Sequence, residues 1–134
     1  MLKTKKEKAQ KGFGLHLTID AARGHKEKLS DIALVRKALN DVPKLLGLHK
    51  ISRPQVLWYD GGAKPEDAGV SGIVMIAESH VSIHTFPHKN FFTADVYSCS
   101  FFDPDKPIWY LKDKFGLDDL ETNVVKRGHK FPRT

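Results

Sequence analysis

The chain has a single cysteine, Cys99, among 134 residues. It cannot close an internal disulfide, which suits a reducing, cytoplasmic setting. It has no apolar run near the roughly 18 residues that span a bilayer, so no membrane partner is expected. The lysine-rich start is followed by no apolar segment and does not read as a secretory signal. No repeat of solenoid period is present. The net charge is +6, yet the body lacks a Lys/Arg stripe interleaved with exposed aromatics, so a nucleic-acid partner is not expected either. The charge is loaded at the ends. Residues 1–12 hold five lysines and one glutamate, and Lys126, Arg127, Lys130 and Arg133 lie near the other end, which leaves the body slightly negative. Two solvated tails account for this pattern, and a basic nucleic-acid-binding module is the alternative.

What is present fits one soluble domain: 40% of residues are hydrophobic and 10% aromatic. Residues 1–12 read as a basic flexible tail and 13–134 as a single domain. Residues 15–20 alternate apolar and polar and predict a half-buried strand. Ser30 and Asp31 supply an N-cap and a first-turn acid, and Ile32, Leu34, Val35, Leu39, Val42 and Leu46 follow at helical spacing. Pro43 should break or kink the last turn. Residues 55–59, 72–77, 81–85, 91–98 and 120–125 read as further strands, and 61–69 as a loop. Residues 104–115 read as a helix with Trp109, Leu111 and Phe115 inward. The order β-α-β-β-β-α-β predicts an α+β fold, a two-layer sandwich of a mostly antiparallel sheet with two helices on one face.

The densest chemistry lies in Glu78-Ser79-His80-Val81-Ser82-Ile83-His84-Thr85. The Ser79 hydroxyl can attack the Glu78 carbonyl, and an N→O acyl shift then gives an ester. A base takes the Ser79 α-proton, and β-elimination releases the upstream chain with a new carboxylate at Glu78. The dehydroalanine left behind tautomerises and loses ammonia on hydrolysis, leaving a pyruvoyl group at the new N-terminus. Serine suits both halves, because its oxygen is first a nucleophile and then a leaving group. His84 is the natural base, with an ordinary imidazole pKa of about 6.5. Ser71, within Gly69-Val70-Ser71-Gly72, can hydrogen-bond the tetrahedral intermediate. On a helix, the i, i+4, i+8 spacing of His80, His84 and His88 would suggest a metal face. The segment is β-prone, however, and His88 lies beyond Pro87, so no metal is expected.

With Asp95-Val96-Tyr97-Ser98-Cys99, this stretch resembles the prokaryotic S-adenosylmethionine (AdoMet) decarboxylase family, densely over residues 69–99 and more loosely over the whole chain. The resemblance implies cleavage between Glu78 and Ser79 into a β chain of 1–78 and an α chain of 79–134. It implies a self-generated pyruvoyl cofactor on Ser79 that forms a Schiff base with an amine-bearing substrate of polyamine biosynthesis. It assigns processing to Ser79, His84 and Ser71, and the later proton donor to Cys99. It also implies a homodimer with residues of both subunits at each site. A non-cleaving partner subunit is the other reading.

Two departures bear on the substrate. Family members usually carry an acid after the His-Thr-aromatic-Pro run, where His88 stands here. They also usually carry an aromatic shortly before Gly-Val-Ser-Gly, where residues 63–68 have none. Some relatives within the family decarboxylate arginine or ornithine. AdoMet and these basic amino acids both stay open, with the balance tilted to the latter. His88, Asp95 and Phe86 are the residues expected at the substrate.

Overall fold

The computed structural model describes residues 14–77 and 79–132. The expected tail over 1–12 lies outside the described residues. Among the described residues, six strands form one antiparallel sheet: β1 (Gly14–Arg23), β2 (Gln55–Tyr59), β3 (Gly69–Ile76), β4 (Ser79–Phe86), β5 (Phe91–Ser98) and β6 (Asp118–Arg127). Their spatial order is β2-β3-β4-β5-β1-β6. Three helices accompany it: α1 (Lys26–Leu29), α2 (Ile32–Leu45) and α3 (Asp105–Phe115). The α+β sandwich is as expected. The four strands between α2 and α3 match the four segments read as strands there, one more than the order β-α-β-β-β-α-β counts, and the short helix α1 precedes α2.

The pleat explains the layers. Leu15, Leu17, Ile19 and Ala21 of β1 are buried, as are Phe92, Ala94 and Val96 of β5, Val81 and Ile83 of β4, and Val70, Val74 and Ile76 of β3. Side chains two apart share a sheet face, so these residues form one continuous apolar layer. The helices close it. Val35, Ala38, Leu39 and Val42 of α2 are fully buried, and Phe115 of α3 meets Phe92 with ring centres 5.1 Å apart.

The helix ends correct three expectations. Asp31 alone caps α2, accepting from the Leu34 amide at 3.1 Å. Ser30 instead ends α1, its hydroxyl donating to the Lys26 carbonyl at 2.9 Å. The helix α2 runs through Pro43 and ends two residues later, Pro43 being buried in its last turn. In α3 the inward positions are Pro107, Leu111 and Phe115, while Trp109 is 66% exposed with the Lys112 ammonium 5.3 Å from its ring centre. Trp109 lies two residues from Leu111, about 200° around a helix, and so faces away.

Thr85 ties the layers together beside the motif. Its Oγ1 donates to the Leu29 carbonyl at 2.6 Å and accepts from the Val70 amide at 3.0 Å, in a site only 2% exposed. Thr85→Val keeps the shape and orphans both backbone groups, so unfolding free energy should fall by about 1–3 kcal/mol. Urea denaturation checks this; an unchanged midpoint would contradict the bridging role.

Candidate active site

Strands β3 and β4 form a hairpin whose register pairs Ser71 with His84 at one end and Ile76 with Ser79 at the other. Glu78, the residue expected on the other side of the scissile bond, lies outside the described residues. Ser79 opens β4 and shares strand parity with the core residues Val81 and Ile83. Its Oγ is buried and has no hydrogen-bond partner among the described residues. Burying a hydroxyl unsatisfied costs about 1–3 kcal/mol, which a purely structural serine would avoid by finding a carbonyl. Cys99 follows β5 at this same end of the sheet, its Sγ 3.7 Å from the Ala77 carbonyl oxygen.

His84 and Ser71 are also brought together, with His84 Nδ1 and Ser71 Oγ 3.0 Å apart. Gly69 permits this. A Cβ there would lie 1.8 Å from the Thr85 carbonyl oxygen, so β3 can run beside β4 here only with a glycine. The two pairs are far apart within one chain. Ser79 and His84 are separated by five strand residues, about 16 Å at roughly 3.3 Å per residue. An odd separation also places them on opposite sheet faces. Within one protomer, therefore, His84 does not reach Ser79.

His84 and Ser71 belong to the face that the helices leave open. On this face Asp95 is already engaged: one oxygen lies 2.8 Å from His16 Nε2, and the other accepts from the Ser82 hydroxyl at 3.4 Å. The Arg127 guanidinium sits 4.1 Å from the Tyr97 ring centre beside them. His88 is exposed in the turn Pro87–Lys89 and does not line the cleft next to His84. That cleft, about 290 Å³, is walled by Tyr59, Asp67, Ser71, His84 and Phe86, so of the three expected substrate residues only Phe86 reaches it. Sequence reasoning passed over Tyr59 and Asp67. The signals available were parity along β2 and an acid close before the Gly-Val-Ser-Gly turn. A larger groove, about 540 Å³, runs between α3 and β6 and holds no nucleophile paired with a base. Among the described residues, no group of three or more His, Cys, Asp or Glu side chains is placed to hold a metal, and no helix is long and apolar enough to cross a membrane.

The family model for S-adenosylmethionine decarboxylase matches residues 15–128. The chain belongs to the S-adenosylmethionine decarboxylase family. It is 33% identical over 117 residues to the S-adenosylmethionine decarboxylase proenzyme of Thermococcus onnurineus, covering 87% of this chain and 78% of that one. It is 36% identical over 109 residues to the proenzyme of a Geobacillus species, covering 76% of this chain and 77% of that one. The adenosylmethionine decarboxylase of Aquifex aeolicus shares the fold, with a TM-score of 0.72 and 29% identity over 87% of this chain and 92% of that one. S-adenosylmethionine decarboxylases of this proenzyme type are pyruvoyl-dependent, the group arising by self-cleavage at a serine. The buried, unsatisfied hydroxyl of Ser79 fits that origin.

Gly69→Ala should force β3 from β4 where Ser71 meets His84. Overpacking against backbone costs typically 1–3 kcal/mol, so the urea midpoint should fall accordingly. An Ala variant as stable as the wild type would mean that the strands can part there freely.

Proposed function

We propose that this chain cleaves itself between Glu78 and Ser79 and then decarboxylates S-adenosylmethionine as a homodimer. The observation that carries the reading is the Ser79 hydroxyl, buried at the start of β4 and without a hydrogen-bond partner among the described residues. A hydroxyl held in this way can attack the preceding carbonyl. Its attack produces the ester, and removal of the Ser79 α-proton divides the chain.

The base must come from elsewhere than the same hairpin, given the distance to His84 along the strand. A second copy resolves this. The open sheet face exposes Leu57, Ile73 and Met75 beside the Ser71–His84 pair, and Val125 farther across the sheet. The helices cover the other face only, so pairing two copies would hide this apolar surface. The partner's His84, oriented by the partner's Ser71, then serves the Ser79 and Cys99 end of the first protomer.

The pyruvoyl carbonyl, once formed, supplies the electron sink for loss of carbon dioxide from the bound amine. Cys99 sits at the same end of the sheet as Ser79 and returns the proton to the substrate carbon, a task suited to a thiol. The partner's His84 holds its ring orientation through its bond to Ser71.

S-adenosylmethionine is favoured as substrate by the relatives, which bear that name across most of the chain's length. They lend no support to the tilt towards arginine or ornithine. His88, on which the tilt partly rested, is not among the residues that line the cleft.

Intact-mass analysis of purified protein should find two chains of 78 and 56 residues, the second blocked at its N-terminus. Ser79→Ala should stay whole. Cys99→Ala should still divide but release little carbon dioxide. An active, undivided wild type would overturn the reading. Incubation with AdoMet, arginine and ornithine separately should yield carbon dioxide from AdoMet; turnover of the amino acids alone would reassign the substrate.

A further inference from the structure

The end of β3 that leads to the scissile bond is held from outside the hairpin. Strand β2 pairs with β3 only as far as Gln55 and Ile73. Beyond them the outer edge of β3 is taken over by residues 49–52, with Lys50 opposite Ile76. The Ile51 amide donates to the Met75 carbonyl at 3.0 Å, and the Ala77 amide donates to the His49 carbonyl at 2.8 Å. From Gln55 to Lys50 the outer chain takes five steps, while β3 takes three from Ile73 to Ile76. Surplus residues on one side interrupt a ladder, and here a side chain repairs it. Ser52 Oγ accepts from the Met75 amide at 3.0 Å. The segment is itself tied to α2. The Leu48 amide donates to the Pro43 carbonyl at 2.8 Å, and the Lys50 ammonium donates to Asn40 Oδ1.

Ile76 lies opposite Ser79, so Ala77 and Glu78 alone connect β3 to β4. Attack of the Ser79 hydroxyl on the Glu78 carbonyl needs both sides of that connection held in a reactive orientation. Downstream, β4 is held by its pairing with β5. Upstream, the grip on Met75 and Ala77 comes from residues 49–52. Resting on the reading of self-cleavage at Ser79, we infer that residues 49–52 form a clamp that orients the upstream half of the scissile connection, with Ser52 as its positioning residue. Turnover does not call on the clamp, because the pyruvoyl group stays on β4. The Met75 amide lies at an exposed edge, where water can replace a lost hydroxyl, so the fold should survive a change at Ser52.

Cell-free synthesis, sampled over time by intact mass, reads the rate at which each variant divides. Ser52→Ala removes one hydrogen bond from the clamp and should slow division roughly fivefold. Ser52→Thr keeps the hydroxyl and should divide near the wild-type rate. Carbon dioxide released from AdoMet per pyruvoyl group should match between divided Ser52→Ala and wild type, and the urea midpoint should hold. Division of Ser52→Ala at the wild-type rate would overturn the inference while leaving self-cleavage intact. Turnover per pyruvoyl group that falls as far as the division rate would also overturn it, since a general loosening of the fold produces that pattern. A wild type that never divides yet decarboxylates AdoMet would overturn the self-cleavage reading, and this inference with it.

Discussion

The two-residue pleat of one hairpin governs the molecule's chemistry. Pairing Ser71 with His84 and Ile76 with Ser79 fixes every other position in β3 and β4. A slip of one residue would turn Val81 and Ile83 out of the core and bring His84 in, a loss of two fully buried aliphatic side chains. Hydrophobic burial of about 1.5–3 kcal/mol per such side chain therefore locks the register. The same lock sends the serine hydroxyl to one end and face of the hairpin and the imidazole to the other. The apolar residues between them thus keep the serine and the imidazole of one protomer apart.

The sheet's two faces divide the remaining work. One is sealed by α2 and α3 and carries almost all of the core, with Thr85 the buried polar bridge from β3 and β4 to the end of α1. The other mixes a polar centre, where His16, Asp95 and Ser82 satisfy one another, with apolar side chains on β2 and β3. Such a face is costly to leave in water and costly to bury against a plain hydrophobic surface. A second copy offering the same alternation meets both demands, because its polar centre and apolar flank are the same as those it covers.

The chemistry was legible in the sequence because it is concentrated. Glu-Ser-His-Val-Ser-Ile-His-Thr and the distant Cys99 suffice to point to self-cleavage, and alternation along residues 15–20 and 91–98 gives two strands directly. Other features depend on contacts that no local pattern reveals. Helix α1 is four residues long and has too little periodicity to register. Trp109 looks like a core residue by type, but its angular position on α3 places it outside. Asp95 looks available to a cation, and only the fold brings up His16, 79 residues away in the chain, to engage it. Tyr59 and Asp67 reach the His84 cleft because β2 pairs with β3 and the turn Pro65–Asp67 folds back towards Pro87–Lys89.

The central claim is that the serine of one protomer is served by the histidine of another. Co-expression of His84→Ala and Ser79→Ala chains carrying different tags tests it, since in a mixed dimer one site regains both an intact Ser79 and an intact His84. The account predicts that the His84→Ala chain stays whole when expressed alone and is divided when isolated in a mixed dimer with Ser79→Ala, as read by intact mass. A His84→Ala chain that remains whole within confirmed mixed dimers would contradict it.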